Sequence, residues 1–147
     1  EEDLPAMMKE LADTKAIIFD FRNYPGFIID ELLHYLNPAP KEFVKFIQPD
    51  FTYPGRFKWT EPVRCGSNNP NPYRGKVVIL ANEETQSRSE YFVMAMQTVE
   101  GAITIGRQTS GADGDVVDYT FFDDKTSWIT GRGVFYPDGT DTQRKGI

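Results

Sequence analysis

Residues 76–81 read KVVILA, and residues 87–98 read SRSEYFVMAMQT. The first segment is apolar without alternation, which is the pattern of a strand covered on both faces. The second carries apolar side chains around most of a helix surface, which is the pattern of a helix inside a core. Only Asn82-Glu83-Glu84-Thr85-Gln86 separates them. A covered strand that runs through so short a turn into a covered helix places the chain among α/β folds.

The flanking segments agree with that reading. Leu4, Met7, Met8, Leu11 and Ala12 recur at helical spacing behind Asp3, a candidate N-cap. Ala16 to Phe21 is a short β-favouring run that ends in turn chemistry at Asn23-Tyr24-Pro25-Gly26. Ile28, Ile29, Leu32, Leu33 and Leu36 form the next helical stripe, with Asp30, Glu31 and His34 on the opposite side. Between Asn37 and Arg74, prolines at 38, 40, 49, 54, 62, 70 and 72 break every period. There we expect irregular excursions, two short strands at 42–47 and 56–60, and an exposed loop over 66–72. After the strand at 76–81 and the helix at 87–98, residues 102–106 form another short strand. Residues 116–122 and 126–130 pair around Asp123-Asp124-Lys125, and a further strand follows at 133–136. No repeat or linker interrupts the 147 residues, which amount to one domain or part of one.

Composition narrows the function. Hydrophobic residues make up 39% of the chain and aromatic residues 14%, which a disordered chain lacks. A net charge of -6 with no basic stripe argues against a nucleic-acid surface. Apolar runs such as Val77 to Ala81 fall far short of the roughly 20 residues that span a bilayer, so no transmembrane segment is expected. Cys65 is alone, which removes an intramolecular disulfide and multi-cysteine metal sites. Asp113-Gly114-Asp115 and Asp138-Gly139-Thr140-Asp141 lack the spaced oxygen ligands and distant Glu of a calcium loop, and read as turns. No metal or cofactor is expected.

The chemistry concentrates at Ser87. At the first turn of a helix, backbone N–H groups point outward and the dipole favours developing negative charge. A serine there suits acyl transfer, provided that a base takes its proton and donors face the oxyanion. One such donor is usually the amide of the next residue, here Arg88. The same spacing has a structural explanation, because Ser87 followed three residues later by Glu90 is also a capping box. Spacing alone leaves both open.

Three segments, IFDFRNYPG at 18–26, VVILANEETQSRSE at 77–90 and GRQTSG at 106–111, resemble in order the motifs of the C-terminal-processing (tail-specific) serine peptidases and their tricorn-like relatives. In that family the blocks read approximately DLRNNPGG, VNxxTASASE and GxxTxGKG. The resemblance runs from about Ile17 to Ile147. It implies a crotonase/Clp-protease-like α/β core, with residues 1–147 forming a partial peptidase catalytic domain. It implies peptide or protein substrates, and family habit adds an extracytoplasmic location. Carried over by position, the nucleophile falls on Ser87 and the oxyanion donors on the Arg88 amide and an amide of the Gly26 turn. Glu90 supports the helix start, and Asp20 with Arg22 forms a structural ion pair or loop anchor. Phe27 stands where the family has its second glycine.

The departures are as informative. The lysine that serves as base in processing peptidases is replaced by Ala112, or by Asp113 if one residue is inserted, and the family's downstream glutamine meets Val116. Nothing in the spacing recruits Lys125 instead. In tricorn-like relatives the base is a histidine from an earlier part of the chain, and a polar or acidic residue close to the final Gly-Ile orients the site. Gln143 could take the latter place. His34 is the sole histidine, matches no motif and reads as a surface residue. The resemblance therefore implies a base upstream of Glu1 and an inactive isolated fragment. The alternative is a peptidase-like binding module for peptides or hydrophobic ligands, as in interphotoreceptor retinoid-binding proteins. For it, Phe51, Tyr53, Phe57, Trp59 and Tyr73 could line a groove or form a small core beneath a loop.

Overall fold

The computed structural model describes residues 3–147. The elements run α1 (Leu4–Leu11), β1 (Ala16–Asp20), α2 (Ile29–Leu36), β2 (Lys41–Pro49), β3 (Phe57–Trp59), β4 (Val63–Cys65), β5 (Lys76–Ala81), α3 (Arg88–Met96), β6 (Ile103–Gly106), β7 (Gly114–Thr120) and β8 (Thr126–Phe135). They form two sheets. The first is parallel, in the order β1-β5-β6, with Ile18 level with Val78 and Val78 level with Ile103. The second is antiparallel, in the order β3-β2-β8-β7, with β4 also paired to β2.

Parallel neighbours need a crossover, and α3 supplies it between β5 and β6. It touches β5, β2 and α2. Phe92, Val93, Met94, Ala95 and Met96 are consecutive and all buried, as the apolar text of this helix requires. They meet Val77, Ile79 and Ala81 of β5, Leu32, Leu33 and Leu36 of α2, and Phe43 and Val44 of β2 in one core. Edge-to-face contacts of Phe21 with Phe92 and of Phe43 with Tyr91 extend it.

Several expectations change. Strand β5 is covered on one face only: Val77, Ile79 and Ala81 are buried, whereas Val78 and Leu80 are half-buried. On that second face Ile18 is 63% exposed, Ile103 51% and Ile105 52%. The run is apolar on both sides, yet the described residues cover only one. Asp3 occupies the N-cap of α1 without a side-chain cap hydrogen bond, and its backbone carbonyl accepts from the Met7 amide at 2.9 Å instead. Strand β4, three residues among prolines, has no counterpart in the sequence reading. The two strands expected at 126–130 and 133–136 are the single β8. Its glycines are points of close packing and not breaks: a Cβ at Gly131 would lie 2.6 Å from Val117 Cγ1, and one at Gly133 2.9 Å from Ile47 Cγ2. Among the described residues no helix is long and apolar enough to cross a membrane.

Candidate active site

All three motif segments leave the parallel sheet at its carboxyl edge, 21–27 after β1, 82–87 after β5 and 107–113 after β6. In open parallel sheets that edge is where ligands bind. Gly106 brings the third segment in. Its φ is 136°, and a Cβ there would sit 1.9 Å from the Ala81 carbonyl oxygen, so no other residue lets β6 end so close to β5.

Buried Thr85 joins the three segments. Its hydroxyl donates to the Phe21 carbonyl at 3.1 Å and accepts from the Asn82 amide at 3.0 Å, while its carbonyl accepts from the Ser110 amide at 3.0 Å. Ser89, also buried, donates to the Asn23 carbonyl at 3.1 Å, which fastens the first turn to α3. Its hydroxyl is therefore structural. Asp20 accepts from Arg22 Nε at 2.9 Å and Nη2 at 2.7 Å. That side-chain pairing, on the surface, holds the Asp20 carboxyl down at about 2.

Ser87 has φ 51° and ψ -119°, a conformation that non-glycine residues adopt at a cost of order 1–3 kcal/mol. Glu90 holds it there. This side chain is wholly buried, and Oε2 accepts from the Ser87 amide at 3.0 Å and the Ala112 amide at 2.9 Å. Oε1 accepts from the Gly111 amide at 2.8 Å and the Thr109 hydroxyl at 2.5 Å, and the Ser110 hydroxyl approaches Oε2 at 3.4 Å. A carboxylate with this many donors is stable inside a protein. The capping-box glutamate is thus also the clamp between the serine turn and the third motif. Arg88 is the first helical residue, so its amide has no intrahelical acceptor. Its guanidinium lies 3.4 Å from the centre of the Phe27 ring and donates to the Pro25 carbonyl at 3.3 Å. A Cβ at Gly26 would meet nothing within 4 Å, so the approach to that turn is open.

Ser87 and Arg88 line a cavity of about 680 Å³ together with Phe27, Tyr91, Asp113 and Arg132. Asp113, to which the motif comparison gives only the place beside the missing lysine, is one of these. Ala112, in the lysine's place, turns its amide to Glu90, while Asp113, 4% exposed, is among the residues that line the cavity. Burial, reinforced by the charge of Glu90, raises that carboxyl to about 7. The only sequence signal was its position beside the missing lysine.

The other candidates lie elsewhere. Gln143 does not line the cavity and donates to the Thr130 hydroxyl at 3.1 Å. His34 pairs through Nδ1 with the Ser67 hydroxyl. Lys125 closes the β7–β8 hairpin, where its carbonyl accepts from the Phe121 amide at 2.8 Å. Of the two Asp-Gly segments expected as turns, 138–141 is one, with Asp138 Oδ1 accepting from the Thr140 amide at 2.8 Å, whereas 113–115 runs into β7, where Asp115 pairs with Arg132 across the ladder.

Comparison with known proteins identifies the fold and the family. The chain is 31% identical over 146 residues to a CtpA-like serine protease of Staphylococcus haemolyticus, covering 90% of this chain and 26% of that protein. A peptidase structure from Parabacteroides merdae superposes with a TM-score of 0.80 at 17% identity, over 99% of this chain and 47% of that one. The photosystem II D1 C-terminal processing protease gives 0.72 at 17% identity, over 99% and 36%. The mixed α/β fold is therefore that of these peptidases, and the chain spans about a quarter of the curated relative and less than half of each structure. With the family model matching residues 1–147 throughout, the chain belongs to peptidase family S41.

Proposed function

We propose that residues 1–147 are the nucleophile-bearing part of a serine peptidase catalytic domain that hydrolyses peptide bonds through an acyl-enzyme at Ser87. Ser87 Oγ adds to the scissile carbonyl carbon, and its proton passes to a base supplied from outside these residues. The oxyanion is met by the amide of Arg88 and an amide of the Gly26 turn. Collapse of the adduct expels the amine with a proton and leaves an ester on Ser87; water then cleaves the ester, freeing the acid and restoring the hydroxyl. Glu90 acts through position, by holding the Ser87 amide. Substrates are peptides or proteins, met in an extracytoplasmic compartment.

The observation that carries this reading is the positive-φ serine between β5 and α3, opening on the cavity at the carboxyl edge of the parallel sheet. The acidic residues Asp30, Glu31, Asp113 and Asp115 that line the cavity among the described residues favour a second reading, a binding module that has kept the fold without hydrolysis. Peptide hydrolysis by the intact protein separates the two. Under the first, Ser87→Ala lowers turnover roughly a thousandfold or more with the peptide still bound. No turnover by the folded wild-type protein against a broad peptide library overturns it and leaves the binding module.

A further inference from the structure

The cavity beside Ser87 carries more anionic than cationic groups, Asp30, Glu31, Asp113 and Asp115 against Arg88 and Arg132. Both arginines are engaged. Arg132 Nε donates to Asp115 at 2.6 Å and lies over the Phe46 ring, and Arg88 is stacked on Phe27 and bonded to Pro25. Asp30 and Glu31, on the first turn of α2, make no ion pair among the described residues.

Asp113 differs from this rim because it is 4% exposed and its Oδ2 has no hydrogen-bond partner among the described residues. Buried carboxyl groups are ordinarily satisfied, since one taken from water without a partner costs several kcal/mol. Its surroundings do not compensate. Glu90 on α3 adds a like charge with its oxygens already spent on other donors. The hydroxyls of Tyr91 and Tyr136, which feel the Asp113 charge, are pushed up to about 12 by burial, and that of Tyr136 is given to Gln97. What the group lacks is a cation, and Tyr91 and Val116 in the same cavity lining suit the stem of a long basic side chain.

We infer that Asp113 is a specificity-determining residue, the anionic anchor of a subsite that takes the ammonium or guanidinium of a lysine or arginine in a peptide bound beside Ser87. The inference rests on the cavity being the peptide site of the proposed function. It is tested by calorimetric binding of two short peptides, identical except for lysine or its neutral isostere norleucine, to the intact protein carrying Ser87→Ala. At about pH 8.5, where Asp113 is ionised, the lysine peptide binds about tenfold or more tighter. The preference falls to about twofold or less at about pH 5.5 as Asp113 takes up a proton, and Asp113→Asn abolishes it at both. Equal affinities at about pH 8.5, or a preference that survives Asp113→Asn, overturns the inference. Should that variant not fold, the pH dependence of the native preference decides: a preference unchanged between the two pH values refutes it. Binding is read without turnover, so a lysine preference in a protein that never cleaves would sink the nucleophile reading and leave the subsite standing.

Discussion

Glu90 is the residue whose loss should be felt most widely. Its carboxylate receives the Ser87 amide, two amides of the third motif and the Thr109 hydroxyl directly, in a fully buried position. Glu90→Gln keeps the shape but turns an NH2 toward groups that are themselves donors. We predict a loss of about 2–4 kcal/mol, read as a lower urea midpoint at unchanged slope. Asp113 is the opposite case. Its folded pKa, about 7, stands above the ordinary 3.8, so the native state holds the extra proton between those values. Stability from this group is therefore full below about pH 4 and is lost as pH rises through 7. Asp113→Asn should match the wild type in thermal melts below about pH 4 and exceed it by about 2 kcal/mol or more near pH 8. A variant less stable than wild type at the higher pH would show that the carboxylate is satisfied by something other than protonation. The sequence displays half of this chemistry. Glu90 three residues after Ser87 announces the bond to the serine amide, but its bonds to residues 109–112 join segments about twenty positions apart, and no local spacing encodes them.

At the scale of elements, uniform text was easy to read and mixed text was not. Strand β5 falls on the boundaries of its apolar run, and α3 on the run of buried residues behind Ser87, because one kind of environment acts along each. Strand β8 reads as two pieces in the sequence because Gly131 and Gly133 resemble breaks. Only the side chains of Val117 and Ile47, which fill the space above them, show why they are glycine. The outer face of the parallel sheet departs from expectation for the converse reason, since apolar composition does not reveal how much of a strand is covered. That exposure is testable. Ile105→Lys, at a position 52% exposed, should change stability by less than about 1 kcal/mol, whereas Ile79→Ala, fully buried, should cost about 2–5 kcal/mol in the same denaturation assay. The outer part of the β7–β8 hairpin behaves like that face: Tyr119 is 52% exposed and Trp128 73%. Its amides should exchange with deuterium well before those of β5 and α3.

For the whole molecule, the decisive feature is that one parallel sheet delivers three loops to one edge. The carbonyl and hydroxyl of Thr85 and the carboxylate of Glu90 bind those loops into a single body, with the cavity beside it. What the described residues add to the motifs is a cavity beside Ser87 whose lining includes four acidic residues and two arginines. The family assignment rests on the match across the chain, and the chemistry at Ser87 has its own test. A fluorophosphonate probe applied to the intact protein provides it, with the labelled residue located by peptide mass mapping. The account predicts one adduct, on Ser87, absent from Ser87→Ala and from heat-denatured protein. No adduct on the folded protein, or an adduct on Ser89 or Ser110, would contradict it.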